Sequence, residues 1–181
     1  EYVKYRSEID NGGKLPEKID LRSKKTGWSR YQYSNLFEYG KDKSHEAKSG
    51  ESLYMKLFVG GYICRESCEN CKFKGYSRVS DLTLGDFWGI WDINSEMDDN
   101  KGTSAVIVQT RKGESIFKEI SVHLILKEVS LEDISRQNPA ILVSSKCNEK
   151  KQNFLALIKT GDFENCTKYM ENFNKDIKKT V

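Results

Sequence analysis

Residues 78–91 read RVSDLTLGDFWGIW, and in this stretch strand-forming residues run into a turn bounded by Gly85 and Gly89. Paired glycines permit a sharp turn and a close approach of the backbone to its neighbours. A second segment, SAVIVQT at 104–110, is the most apolar run of the chain and predicts a buried central strand. The two segments together predict a β-sheet core in the middle of the chain.

Upstream of this core, the sequence predicts two strands, a loop and a helix. EKIDLR at 17–22 and the alternating aromatic and polar residues of 28–40 favour strands. The charged and small residues of 41–52 predict a surface loop. Helix formers at 52–61 end at a glycine pair, which is typical of a helix C-terminus.

Downstream of the core, helices dominate the prediction. We expect a helix at 113–120, a strand at 122–129 and a helix with an N-terminal cap at 130–138. Two further helices are predicted at about 150–160 and at 162–179. Strands in the first two thirds and helices toward the C-terminus predict an α+β fold with a single mixed sheet.

The composition excludes several classes of protein. With 37% hydrophobic and 11% aromatic residues, the chain is too rich in apolar side chains to be disordered. The net charge of +3 comes from 30 basic and 27 acidic residues that are interleaved, and such a pattern predicts no nucleic-acid partner. No apolar run reaches the length of a membrane span. We therefore expect no membrane span, and the odd number of tightly clustered cysteines, described next, suits a cytoplasmic protein.

Three of the five cysteines lie close together, at Cys64, Cys68 and Cys71, with the spacing C-x3-C-x2-C. An odd count with tight clustering predicts reduced thiols rather than a disulfide scaffold. Soft, anionic thiolates at short spacing bind zinc or iron–sulfur clusters, because one loop can wrap the metal. Metal binding is therefore favoured over the alternative of three idle cysteines.

Three kinds of metal site compete for this cluster. Radical S-adenosylmethionine enzymes use the same spacing, but they usually carry an aromatic residue where Asn70 stands and need a longer (β/α) barrel. A structural zinc site needs a second ligand pair, and the other cysteines and histidines are scattered. An iron–sulfur cluster is favoured, with Cys68 and Cys71 as a ligand pair and Cys64 as a candidate third ligand. The remaining ligands would come from the other cysteines or from residues upstream.

The sequence around these cysteines resembles a known family. SCENCKFKG (67–75), followed by RVSDLTLGDFWGI (78–90), resembles the C-terminal domain of the coenzyme F-420 hydrogenase/dehydrogenase beta-subunit family. Members of that family show SC-x2-C-x-F-K and then R-x-SD-x-T-x-GDFWG. The likeness spans most of residues 20–155, with Ser23 standing where members often carry Asp. Further matching elements occur in order at DLRSKKTGW (20–28), DDNKGTSAVIVQTRKGESIF (98–117) and QNPAILVSS (137–145).

The resemblance implies an oxidoreductase that binds FAD and a four-iron [4Fe–4S] cluster and passes electrons between them and a hydride carrier. It also implies a redox partner protein or an upstream ferredoxin-like domain. Because the sequence begins with Glu1, we expect residues 1–181 to be one domain at the C-terminal end of a longer protein. Its family-like core is 20–155, and 156–181 is expected to be a C-terminal helix. Fold alone does not choose the substrate.

The GDFWG turn and its surroundings are the candidate cofactor site. On spacing alone the turn is structural, with Phe87 and Trp88 in the core. With the resemblance taken into account, a functional turn is as well supported as a structural one. In the functional turn the backbone faces a flavin, and the side chains of Phe87 and Trp88 stack on its ring. Arg78 and Asp81 are expected to form a salt bridge that positions the loop. The candidate cofactor-binding residues are Lys24, Arg78, Asp81, Gly85, Asp86, Phe87, Trp88 and Lys101, beside the candidate metal ligands Cys68, Cys71 and Cys64.

A second hypothesis comes from a different class of protein. The cysteine cluster lacks a complete ligand set, and no cysteine precedes Cys64. A non-catalytic module, either zinc-binding or cofactor-free, would have the same sequence features. Such a module would dock onto a partner in a redox or polysaccharide-biosynthesis pathway.

Overall fold

The structure is a computed structural model that describes residues 1–170 of the chain. Its strands are β1 (Lys18–Ser23), β2 (Ser34–Glu38), β3 (Ser44–Lys48), β4 (Leu82–Asp86) and β5 (Ser104–Val108). Its α-helices are α1 (Tyr2–Asn11), α2 (Leu53–Val59), α3 (Glu66–Glu69), α4 (Ile90–Ile93), α5 (Arg111–Ser121), α6 (Leu131–Arg136) and α7 (Lys151–Thr160). Short 3-10 turns lie at Ser29–Tyr31, Ser95–Met97 and Pro139–Ile141, and residues 163–170 are helical.

The chain divides into two compact units, each built from separated segments. The first unit contains residues 1–26, 33–66 and the chain from 146 onward. The second unit contains residues 27–32 and 67–145. That residues 1–181 form one domain, with a family-like core at 20–155, stays a prediction.

The sheet of the first unit has the order β1-β2-β3, and both pairs of strands are antiparallel. The first four residues of the central strand β2, at 34–37, are all buried. Strand β1 confirms the strand predicted at 17–22, and β2 occupies part of the predicted 28–40 segment. The loop predicted at 41–52 is wrong, because β3 forms within it. An edge strand pairs through its backbone and tolerates charged side chains, so β3 carries no apolar alternation.

The predicted helices begin where their capping side chains stand. Ser52 accepts a hydrogen bond from the Met55 amide at 3.3 Å at the start of α2, and Ser130 caps α6 through the Asp133 amide at 3.0 Å. These caps satisfy amides that have no partner within the helix. Helices α2, α5, α6 and α7 confirm the helices predicted at 52–61, 113–120, 130–138 and 150–160, although α7 begins without a side-chain cap. Helix α1 was not predicted, although Gly12 ends it in the left-handed conformation at φ 57°.

The second unit contains a sheet of two antiparallel strands, β4 and β5. The α+β class is confirmed, with strands in the first two thirds of the chain. Two small antiparallel sheets replace the single mixed sheet that was expected. Strand β5 forms as predicted, but it is not a central strand and only Ala105 in it is fully buried. Helices and turns that pack against one side of β5 bury part of its apolar residues.

The strand predicted at 122–129 does not form. Val122, Leu124, Ile125 and Leu126 are between 47% and 88% exposed in the structure. Alternation of apolar residues is not sufficient for a strand, because a strand also needs a neighbouring backbone to pair with. Among the described residues, no strand pairs with this segment.

Each unit has its own hydrophobic core. In the first unit, Leu57, Tyr62, Phe154, Cys166 and Met170 form one buried cluster. In the second unit the buried cluster is Phe87, Ile90, Ala105 and Ile134. Of the C-terminal helix predicted at 162–179, residues 171–179 lie outside the described part of the chain, as does the end of the 156–181 segment.

The histidine of β3 gives the first unit a predictable dependence on pH. His45 Nδ1 lies 3.9 Å from Asp10 Oδ1, and Arg6 Nε donates to the same carboxylate at 3.1 Å. Burial lowers the pKa of His45, the nearby Arg6 lowers it further, and Asp10 opposes them. Below the ordinary pKa of histidine, about 6.5, the unfolded chain therefore binds the proton more readily than the folded chain.

We expect the stability of the protein to fall as the pH is lowered through about 6.5 toward the folded-state pKa, and to be fully present above that range. Urea midpoints measured from pH 7.5 down to 5.5 would show the slope. His45→Gln should flatten it, whereas His123→Gln, at an exposed position, should not. Equal slopes in both variants would contradict the assignment.

Candidate functional site

The second unit contains most of the predicted site residues, and the first unit holds the others. Lys24 is exposed on the first unit, which also holds Cys64. The second unit contributes Cys68, Cys71, Arg78, Asp81, Gly85, Asp86, Phe87, Trp88 and Lys101.

The two central cysteines are half-buried free thiols. Cys68 lies in the short helix α3, and Cys71 follows it in the loop. The Cys71 amide donates to Ser144 Oγ at 3.2 Å, and Lys74 Nζ donates to the same oxygen at 3.1 Å. The loop is thus tied to the 137–145 segment, and a cation lies near it. Within residues 1–170, no group of three or more His, Cys, Asp or Glu side chains is arranged to hold a metal ion.

Cys64 has a different partner from the one expected. Its Sγ forms a disulfide with Cys147, also in the first unit. In this pairing Cys64 offers no thiolate to a metal. Its assignment as a third ligand stays a prediction that requires the bond to be reduced.

The GDFWG turn is a structural part of the second unit. Phe87 is 5% exposed and packs with Ile90, Ala105 and Ile134, as the spacing alone predicted. Its amide donates to the Thr103 carbonyl at 2.9 Å, immediately after β4 ends. Within β4, Gly85 pairs with Ala105 and Asp86 pairs with Ser104. Trp88, in contrast, is only half-buried.

Trp88 belongs to an aromatic cluster formed by Trp28, Tyr31, Trp88 and Trp91, all in the second unit. The rings of Trp28 and Trp88 are stacked, with centroids 5.3 Å apart and an interplanar angle of 17°. Tyr31 lies 4.9 Å from Trp88 and meets Trp91 edge-on at 5.5 Å. Tyr31 is 45% exposed, whereas Trp28 is 7% exposed. The cluster therefore joins a buried ring to an accessible one.

The loop at 98–102 holds Trp28 in the cluster. Asn100 Oδ1 accepts from the amides of Trp28 at 2.8 Å and Ser29 at 2.9 Å. Gly102 has a φ of +98°, and a Cβ there would lie 2.7 Å from Trp28 Cδ1. A side chain at position 102 would therefore collide with the Trp28 ring. Sequence reasoning assigned Trp28 to a strand and missed the cluster, although the GW element was a usable signal.

Arg78 and Asp81 do not form the predicted salt bridge. Arg78 Nε donates to the Gly75 carbonyl at 3.1 Å. Asp81 accepts from Thr110 Oγ1 and lies 3.3 Å from Lys112 Nζ. The hydrogen bond from Thr110 and the Lys112 ammonium lower the pKa of Asp81. Arg78 therefore binds backbone carbonyl groups, and Asp81 binds the Thr110 hydroxyl and the Lys112 ammonium. Each of the two residues holds a different loop.

An open cavity of about 520 Å³ lies elsewhere in the second unit. None of the predicted site residues lines it, so it adds nothing to the cofactor assignment. Its lining residues are Ile93, Asn94, Lys127, Glu128, Val129, Ser130 and Asp133.

Comparison with known proteins identifies the family. The model of the family described as the C terminus of the coenzyme F420 hydrogenase/dehydrogenase beta subunit matches residues 11–134. No curated protein and no solved structure matches the chain significantly. Within residues 1–170, no helix is both long and apolar enough to cross a membrane. The match covers more than half of the chain, and the chain therefore belongs to this family of C-terminal domains from coenzyme F420 hydrogenase/dehydrogenase beta subunits, an oxidoreductase family.

Proposed function

We propose that this chain is part of a flavin- and iron–sulfur-dependent oxidoreductase that passes electrons between a hydride carrier, FAD and a four-iron cluster. The family match over residues 11–134 is the observation that carries the proposal. The arrangement of the second unit is compatible with it, since two free thiols and a partly accessible aromatic cluster belong to one compact unit.

The described residues do not by themselves fit a complete four-iron cluster. Such a cluster needs about four thiolates, and the second unit offers Cys68 and Cys71. We propose that these two cysteines are ligands and that the others come from outside residues 1–170. Cys64 could join them only after its disulfide is reduced. The Lys74 ammonium, which shares Ser144 with Cys71, would offset the negative charge of thiolates here.

The aromatic cluster is the part of the chain that best suits FAD. A bound flavin supplies hydride transfer and single-electron transfer. The exposed face of Tyr31 and the half-buried Trp88 would stack against its ring, since planar rings stack on accessible aromatic faces. The core position of Phe87 leaves it a supporting role. Within the second unit, the proposed cofactor contacts are Gly85, Asp86, Lys101, Arg78 and Asp81. Lys24 belongs to the first unit, and its role stays a prediction from the sequence.

A protein partner is part of the proposal. The family description is that of a beta subunit, and a subunit works beside other chains. We propose that a redox partner protein or an upstream ferredoxin-like domain supplies or receives the electrons. We further propose that the protein works in the cytoplasm.

One observation favours the alternative of a non-catalytic module. Among residues 1–170, no group of three or more metal-ligating side chains is assembled. Such a module would bind zinc through Cys68 and Cys71, or bind no cofactor, and would act only by docking onto its partner.

Spectroscopy tests the proposal on the anaerobically purified protein together with the partner or upstream domain that is proposed to supply the remaining ligands. After incubation with iron, sulfide and FAD, we expect flavin absorption bands, a broad cluster shoulder and bound iron. Cys68→Ser and Cys71→Ser should each abolish iron loading, because each removes a thiolate. Ser67→Ala, an exposed neighbour in α3, should load as the wild type does.

The outcomes separate the two functions. A colourless protein that carries stoichiometric zinc would support the module and exclude the oxidoreductase. Iron retained in both cysteine variants would show that the ligand assignment is wrong. A protein that stays colourless even with that partner or domain present would count against the oxidoreductase.

A further inference from the structure

The disulfide between Cys64 and Cys147 belongs to the first unit, and while it is formed neither cysteine can serve as a metal ligand. Its cysteines are 83 residues apart in sequence, and their Cα atoms are 6.1 Å apart. Both residues belong to the first unit and both are half-buried. We propose that this pair is a thiol–disulfide exchange site that takes a dithiol as its substrate. This inference does not rest on the proposed function, which gives Cys147 no role.

A buried cation stands beside one of the two sulfur atoms. Lys151 Nζ lies 3.6 Å from Cys147 Sγ, and the whole residue is only 9% exposed. Among residues 1–170, Lys151 forms no ion pair with a carboxylate. A cation without a counter-charge at this distance stabilises negative charge on the sulfur. The site is therefore electrostatically asymmetric, with Cys147 as its favoured anion.

The asymmetry sets the direction of the exchange. A thiolate of the dithiol attacks Cys64 Sγ, the S–S bond breaks, and the electron pair goes to Cys147 Sγ beside the Lys151 ammonium. The second thiol then attacks the mixed disulfide and releases Cys64. Two electrons and two protons pass to the cysteines, and the dithiol becomes a disulfide. Because Cys147 is the better-stabilised leaving group, Cys64 is the sulfur that is attacked first.

The backbone keeps the two cysteines close after reduction. The Asn148 amide donates to the Gly61 carbonyl at 3.0 Å. Gly61 has a φ of +73°, and a Cβ there would lie 2.8 Å from the Lys146 carbonyl oxygen. Cys64 Sγ lies 3.3 Å from the Gly61 carbonyl, which can accept the thiol hydrogen. The two thiols therefore stay near each other after reduction, and the disulfide can reform. A reversible exchange site requires this.

The position of the bond in the sequence gives the exchange a structural consequence. The chain between Cys64 and Cys147 includes the whole of the long segment 67–145 of the second unit, and with it Cys68 and Cys71. A disulfide that closes so long a loop restricts the unfolded chain strongly. Reduction should lower the thermal midpoint by roughly 10 °C. The redox state of one cysteine pair thus controls the stability of the chain around the proposed ligands.

Thiol counting on the full chain without cofactors tests the site. After mild oxidation and unfolding, we expect three reactive thiols, those of Cys68, Cys71 and Cys166, and a Cys64–Cys147 peptide in mass maps. Dithiothreitol should open the bond in the folded protein. Lys151→Gln should slow this reduction roughly fivefold. Lys151→Arg should keep the wild-type rate, as should Lys159→Gln, at an exposed position of the same helix.

Three results would overturn the proposal. Five reactive thiols after oxidation would mean that the two cysteines do not pair. Reduction only at the rate of global unfolding would mean that the bond is structural. Equal rates for Lys151→Gln and Lys151→Arg would remove the assigned role of the ammonium. None of these readouts depends on FAD or iron, so they are independent of the spectroscopic test above.

Discussion

Replacing Gly113 with alanine is expected to destabilise the protein by about 1–3 kcal/mol, although alanine is the better helix former. Gly113 lies in the first turn of α5, where a Cβ would collide with the Asp81 carbonyl oxygen and stand 2.9 Å from its carbonyl carbon. Both atoms are backbone and cannot rotate away. The helix and the end of the loop before β4 would have to move apart.

Tryptophan fluorescence during urea unfolding measures this loss, because all three tryptophans belong to the second unit. The matched control is Ser115→Ala in the same helix, where the side chain is exposed. That control should be neutral or slightly stabilising. A Gly113→Ala protein as stable as the control would mean that the close contact with Asp81 does not exist.

The other large effect is expected from Phe87→Ala, which should cost about 3–5 kcal/mol of the free energy of unfolding. The side chain is 5% exposed and lies among Ile90, Ala105 and Ile134, so its removal leaves a cavity. A second variant, Phe87→Leu, keeps most of the buried volume and should lose much less stability.

The same urea titration measures both variants, and an exposed phenylalanine provides the control. Phe73 is 69% exposed in the same unit, so Phe73→Ala should change stability by less than about 0.5 kcal/mol. If Phe87→Ala instead left stability intact and only weakened FAD binding, the ring would be a cofactor contact rather than a core residue.

The sequence predicted best those elements whose start is determined by a local side chain. The helix predicted at 130–138 begins at its predicted cap, Ser130, and the helices predicted at 52–61 and 113–120 begin at Ser52 and Thr110, because helix formation and capping depend on residues a few positions apart. Elements that depend on distant partners were predicted poorly. Strand β3 is polar and forms because β2 lies beside it, whereas no strand within residues 1–170 pairs with the apolar segment 122–129.

In the candidate site too, features formed by neighbouring residues were predicted, and features formed by distant residues were not. The cysteine pair and the GDFWG turn are contiguous in sequence, and the prediction that Phe87 lies in the core could be made from spacing alone. The aromatic cluster could not be foreseen in this way, since Arg30 and Tyr31 adopt positive φ values of 49° and 63° that no strand allows. The Cys64–Cys147 bond was also missed, because spacing ranks near neighbours above a residue 83 positions away.

The hydrogen bond from the Trp28 amide to Asn100 has a consequence for the order in which the protein is made. It joins residues 72 positions apart, and a ribosome adding about 5–20 residues per second needs roughly 4–14 s to cover that distance. During this interval the Trp28 ring has emerged while the loop that will hold it does not yet exist. A growing chain therefore exposes the Trp28 ring to molecular chaperones until the loop at 98–102 has been made, and the second unit completes its aromatic cluster only after that point.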